Sequence, residues 1–211
     1  MDSGIEFLSD GPEGGPLLLL AHGAGAPMDS PFMNRVSRGL AERGVWVRRF
    51  EFPYMRRRRR DGVRRGPDRA PVLLDTWREA VAAAGRHRPL FIGGKSMGGR
   101  IASMVADELE VDGLVCLGYP FHPPGRPERL RAAHLARLAT PALIVQGSRD
   151  RLGSREEVAG YRLAAGIRLV FLDDGDHSFK PRVRSGLTEE GQLAEAVSSV
   201  ARFVSEGAAA C

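Results

Sequence analysis

Leu90-Phe91-Ile92-Gly93-Gly94-Lys95-Ser96-Met97-Gly98-Gly99-Arg100-Ile101 is the stretch on which the reading of this chain turns. A short apolar run ends in two glycines, and a serine then stands between Gly94 and Gly98. After it Ile101, Met104, Val105 and Leu109 recur at helical spacing. This is G-x-S-x-G set between a strand and a helix. A turn that sharp forces the serine into strained backbone angles, and side chains on its neighbours would collide, so the glycines answer a steric requirement. Ser96 is expected to stand out at the top of a sheet as a nucleophile. The N–H of Met97, at the start of the helix, is expected to point towards a developing oxyanion. Two phosphate-binding alternatives fail. Gly94-Lys95-Ser96 has the ending of a P-loop, but its opening glycine would fall at Pro89. The segment from His22 to Pro27 does not complete the G-x-G-x-x-G pattern of a dinucleotide site.

Outward from this stretch, apolar runs bounded by Gly, Pro or Asp recur at 5–8, 17–21, 45–50, 90–92, 114–117, 142–145 and 167–172. Helical spacing appears between them at 29–42, 72–84, 98–110, 128–138, 156–164 and 189–204. Nearly continuous apolar strands alternating with helices predict an α/β fold, a mainly parallel central sheet with helices on both faces. Ligands of such sheets bind at the carboxyl ends of the strands. With 211 residues, 43% hydrophobic and 27% charged, the chain is expected to fold as one domain, 1–211. Met1-Asp2-Ser3-Gly4 lacks the positive start of a signal peptide, and no apolar run is long enough to span a bilayer, so a cytoplasmic location without membrane contact is expected. Cys116 lies in an apolar stretch and Cys211 is the last residue. Both read as ordinary thiols, without a disulfide framework or a metal site.

A serine hydroxyl needs a neighbouring base, and five histidines are available. His22 ends an early strand, His87 lies between Arg86 and Arg88, His122 is in a proline-rich loop, and His134 is inside a predicted helix. His177, in Asp173-Asp174-Gly175-Asp176-His177-Ser178-Phe179, follows the last strand and reaches the same edge of the sheet as Ser96, so it is the expected base. The base needs a carboxylate to hold its tautomer, and Asp150 ends the loop after the preceding strand. Asp173, Asp174 and Asp176 are rivals whose closeness to His177 in sequence suits them better to shaping its turn. The second oxyanion donor is expected from the loop after 17–21, as the N–H of Ala24 or of its neighbour Gly23, with His22 bonding that loop in place.

The segments Gly94-Lys95-Ser96-Met97-Gly98-Gly99-Arg100, His22-Gly23-Ala24-Gly25-Ala26-Pro27-Met28-Asp29 and Gly175-Asp176-His177-Ser178-Phe179 together resemble the KAN-like or testis-expressed-protein type of α/β-hydrolase, small proteins related to dienelactone hydrolases. The resemblance runs over nearly the whole chain. It implies an α/β-hydrolase fold with Ser96, Asp150 and His177 at the triad positions, in the chain order of that fold. It implies little about substrate, since members are mostly described as predicted hydrolases and some relatives serve in protein complexes.

The stretch 118–125 is too short for a helical lid, so an open site with minimal or no lid is expected, suited to small soluble esters or thioesters. The five arginines at 56–60 follow the strand 45–50 and so fall on the same edge of the sheet. They read either as a solvated loop or as a rim that binds anionic groups, with Arg56, Arg57 and also Tyr119 as candidate substrate contacts. The expected activity is that of a serine hydrolase working through an acyl-enzyme without metal or organic cofactor. A non-catalytic scaffold or binding protein using the basic 56–60 loop towards nucleic acid or an acidic partner is the alternative; under the leading reading nucleic acid is not an expected partner despite the net charge of +5.

Overall fold

The computed structural model describes residues 4–85, 87 and 89–209, so Cys211 and the arginines flanking His87 lie outside the described residues. Seven strands form one sheet: β1 (Leu8–Asp10), β2 (Leu17–Ala21), β3 (Trp46–Phe50), β4 (Leu90–Lys95), β5 (Gly113–Leu117), β6 (Ala142–Gly147) and β7 (Ile167–Leu172). Their order is β1-β3-β2-β4-β5-β6-β7, and only the β1–β3 pairing is antiparallel. The unbroken apolar run of β2 is explained by coverage on both sides. Leu17, Leu19 and Ala21 enter one core, whereas Leu18 and Leu20 enter the other.

The first core is closed by α3 (Ala70–Ala84) and α4 (Met97–Ser103), which contribute Leu73, Trp77 and Ile101. The second is closed by α1 (Pro31–Ala41) and the long α6 (Glu189–Ala209). In α1 the buried stripe is Met33, Val36 and Leu40, at the spacing of one helix face. In α6 it is Leu193, Ala196, Val197, Val200, Phe203 and Val204. Two shorter helices, α2 (Pro53–Asp61) and α5 (Arg155–Val158), flank the carboxyl edge. Among the described residues no helix is long and apolar enough to cross a membrane. Cys116 is a buried free thiol whose pKa burial pushes up.

Several elements depart from the sequence expectation. The first strand lies at Leu8–Asp10 instead of 5–8, because pairing with β3 runs Leu8↔Arg49 to Asp10↔Val47 while Ile5 and Phe7 pack on the core from outside the ladder. The helix after Ser96 stops at Ser103, and the chain continues towards 110 in turns. The helix expected at 128–138 is a 3-10 turn, Ala133–Arg137. The one at 156–164 is the single capped turn of α5, where Ser154 and Glu157 form a reciprocal capping box. Conversely the arginine run is helical: Pro53 opens α2 and Gly62, in the left-handed conformation, closes it.

Candidate active site

Ser96 joins β4 to α4 with φ 52° and ψ −116°, a conformation costly for a residue with a side chain. The surroundings hold it there. A Cβ at Gly94 would fall 2.3 Å from the carbonyl oxygen of Ala21, and one at Gly98 would fall 2.5 Å from the same atom, so the elbow can lie against β2 only with both glycines. The Ser96 N–H donates to the Leu117 carbonyl at 3.0 Å and fixes the elbow against the end of β5.

The turn after β7 brings His177 to this serine. Its Nε2 lies 2.8 Å from Ser96 Oγ, and its Nδ1 lies 2.7 Å from Asp150 Oδ2. Asp150 is fully buried at the end of the loop after β6. A buried carboxylate requires donors, and here they are supplied: Oδ1 accepts the Leu152 N–H at 2.8 Å and Oδ2 accepts Gln146 Nε2 at 2.9 Å as well as the imidazole. With a carboxylate at Nδ1, the imidazole proton belongs there and Nε2 is free to accept from the serine hydroxyl. The neighbouring acids are engaged elsewhere. Asp173 pairs with Arg155, Asp174 with Arg149 and Arg182, and Asp176 Oδ1 accepts the N–H groups of Ser178 and Lys180.

Lys95 adds a tie that the sequence did not reveal. Its Nζ donates to the His177 carbonyl at 2.6 Å, between the rings of Phe32 and Phe179. Burial pushes its pKa down to about 8, against the opposing pull of Asp150 and Asp176. Gln146 is the other residue that sequence reading passed over. Its Oε1 accepts the Tyr119 N–H at 2.7 Å while its Nε2 reaches Asp150 and the Gly153 carbonyl, so one buried carboxamide stitches the loops after β5 and β6 to the carboxylate.

The loop after β2 is held from behind. His22, fully buried, places Nδ1 2.7 Å from the Gly23 carbonyl, and its Nε2 accepts the Phe52 N–H at 3.1 Å. Burial lowers its pKa, which fits a neutral ring with the proton on Nδ1. Tyr54 donates its hydroxyl to the Ala24 carbonyl at 3.0 Å. In a trans peptide the C=O and N–H point in opposite directions, so fixing the Gly23 carbonyl on His22 turns the Ala24 N–H away from it. Among the described residues neither the Ala24 nor the Met97 N–H has a protein acceptor. The remaining histidines sit apart from Ser96 or are otherwise occupied: His87 lies against Trp46, His134 bonds Ser103, and His122 bonds the Pro123 carbonyl.

Two cavities of about 340 Å3 each meet at Ser96 and Ala24. One is walled by Lys95, His177, Phe32 and Met33. The other lies beyond Met97, walled by Leu73, Arg100, Pro120, His122 and Arg131.

A family model described as an alpha/beta hydrolase domain matches residues 15–205. The chain belongs to the alpha/beta hydrolase family. Solved structures share its fold over almost the whole length. Est1E from Butyrivibrio proteoclasticus, determined with ferulic acid bound, superposes with a TM-score of 0.73 at 18% identity, covering 97% of this chain and 96% of that one. XC6422 from Xanthomonas campestris, described as an a/b serine hydrolase without a lid, gives 0.65 at 21% identity over 93% and 89%. The esterase domain of a Rhodothermus marinus protein gives 0.66 at 18% identity over 94% and 97%. In this alpha/beta hydrolase the segment between β5 and β6 holds no helix beyond the short 3-10 turn Ala133–Arg137.

The residues expected to contact substrate in this hydrolase lie elsewhere. The 56–60 segment is helix, not loop, and four of its five side chains are spoken for. Arg56 bonds the Gly4 carbonyl, Arg57 pairs with Asp68, Arg58 reaches the Gly25 carbonyl at 3.1 Å, and Arg59 pairs with Asp29 and Glu51. None of these arginines lines either cavity at Ser96. Tyr119 is fully buried beneath the site, its hydroxyl 3.4 Å from both Ser103 Oγ and the Arg131 carbonyl. The reason is common to all three: sequence gives a residue's place along a strand edge but not the partner that captures its side chain.

Proposed function

We propose that this protein is a serine hydrolase that cleaves a small ester or thioester through an acyl-enzyme. The observation that carries the reading is the unbroken hydrogen-bonded chain from Ser96 through His177 to buried Asp150, with the serine held at a strained elbow. In this mechanism His177 Nε2 takes the hydroxyl proton as Ser96 Oγ attacks the carbonyl carbon, and Asp150 stabilises the imidazolium. The oxyanion is received by the N–H groups of Ala24 and Met97, with Gly23 supplying the close backbone approach. The carbonyl re-forms as the bond to the alcohol or thiol breaks, and the leaving group departs with the proton from His177. Water then repeats the sequence, giving its proton to His177 and its oxygen to the acyl carbon, and the acid and free Ser96 are restored. No step calls for a cofactor. His177 lines one cavity, which suits the leaving group, and the acyl chain then takes the other.

The three motifs further support membership of the KAN-like or testis-expressed-protein type, as one domain working in the cytoplasm. The test is hydrolysis of a short-chain p-nitrophenyl ester by the wild type beside Ser96→Ala, His177→Ala and Asp150→Asn. Each variant should lose about 10³-fold or more in kcat while remaining folded. Folded variants that keep the wild-type rate would refute the mechanism.

A further inference from the structure

Arg100 sits one helical turn along α4 from Ser96 and lines the cavity on the side away from His177, together with Arg131. Neither guanidinium forms an ion pair among the described residues. Among the described residues the half-buried Arg100 side chain hydrogen-bonds only the Met104 sulfur, at 3.8 Å, and the exposed Arg131 side chain has no hydrogen bond. Four arginines near the same edge differ in this respect: Arg49, Arg57, Arg59 and Arg182 are each matched by a carboxylate.

The other polar groups on this wall offer no compensation. Asp68 is committed to Arg57 through one oxygen and to the Tyr54 N–H through the other. His122 bonds the Pro123 carbonyl through Nδ1, and its Nε2 faces Glu157 at 3.4 Å. Burial and the nearby Arg131 both disfavour the charge on Arg100. A cation that is partly out of water and unpaired is a cost that an incoming anion removes, and guanidinium groups receive a carboxylate through two parallel hydrogen bonds.

We propose that Arg100 and Arg131 form an anion subsite in the acyl half of the cavity, so that the preferred substrates carry an acyl chain ending in a carboxylate. The assignment to the acyl side rests on the serine-hydrolase reading, because the group that leaves must lie beside His177. The cationic character of the pocket does not depend on it.

Two measurements separate these layers. The first is the ratio of kcat/KM for p-nitrophenyl hydrogen glutarate over p-nitrophenyl valerate, esters of equal chain length, in the wild type, Arg100→Gln, Arg100→Lys and Arg131→Gln. The ratio should exceed one in the wild type at low ionic strength. It should fall about tenfold to a hundredfold in Arg100→Gln, the range of a hydrogen bond to a charged group, by less in the exposed Arg131→Gln, and recover in part in Arg100→Lys. The second is calorimetric binding of monomethyl glutarate to Ser96→Ala, with and without Arg100→Gln. Binding should be saturable and weaken by a similar factor in the double variant. A ratio at or below one, a ratio that none of the arginine variants alters, or an absence of saturable binding would each overturn the subsite. If neither ester is cleaved but binding depends on Arg100, the hydrolase reading falls and the subsite stands.

Discussion

Lys95 is the last residue of β4, directly before Ser96, and it spends its ammonium group on the His177 carbonyl, not on solvent. Its pKa of about 8, against 10.5 for an ordinary lysine, has a definite sign in the stability of the protein. Below pH 8 the folded and unfolded chains are both protonated and the folded one bears the burden of a buried charge. Between about 8 and 10.5 the folded chain releases its proton first, the unfolded chain holds more protons, and stability rises with pH. Wild type should therefore gain thermal stability relative to Lys95→Met across that interval. Parallel pH curves for the two proteins would mean that Lys95 titrates as it does in water. Sequence could name this lysine as the neighbour of the proposed nucleophile, but direction was out of its reach. Ser96 differs because its strained turn is written into the glycines beside it, at Gly94 and Gly98, which let the elbow lie against β2.

The loops at the ends of β4, β5, β6 and β7 act on one another through backbone approaches that tolerate little. Gly118, just after β5, has φ +69°, and a Cβ there would come within 2.8 Å of Lys95 Nζ and 2.9 Å of the His177 carbonyl. If His177 is the base, Gly118→Ala should push it away from Ser96 and lower kcat about 10²-fold, with a smaller change in KM. Steady-state kinetics on the folded variant check this, and an unchanged kcat would show that the loop yields instead. Elements with a regular apolar face were legible in advance: β2 and β4, α1, α3 and α6 fall close to their expected places because burial imposes a period. The helix α2 was not, since only Tyr54 and Met55 of its residues are buried and five consecutive arginines show no period. Its signals were the proline at its start and the glycine at its end. Gln146 escaped notice because a polar residue closing an apolar strand looks like the end of burial, whereas it lies at the centre of a buried network.

Across the molecule, alternation of strands and helices was enough to foresee a parallel sheet covered twice, and the carboxyl-edge rule was enough to bring Ser96, Asp150 and His177 to one side. Strand order was less accessible, because nothing local says that β3 lies outside β2 or that β7 closes the far end. Ionic pairing was harder still: Asp29, Glu51 and Asp68 come from other segments to occupy the arginines of α2, and charge counted along the chain cannot show that. The position of β7 has a further consequence. It pairs with β6 alone, and Ile167, Leu169, Val170 and Phe171 remain only partly buried, whereas the interior around Trp77 is sealed. Yet it is β7 that delivers His177. Fraying of this margin would carry the histidine off while Trp77 stays dry, so in a Trp46→Phe background inactivation in urea should come at a lower concentration than the change in Trp77 fluorescence. Coincident curves would mean that margin and interior melt together. Otherwise this protein loses its reactivity first and its shape afterwards.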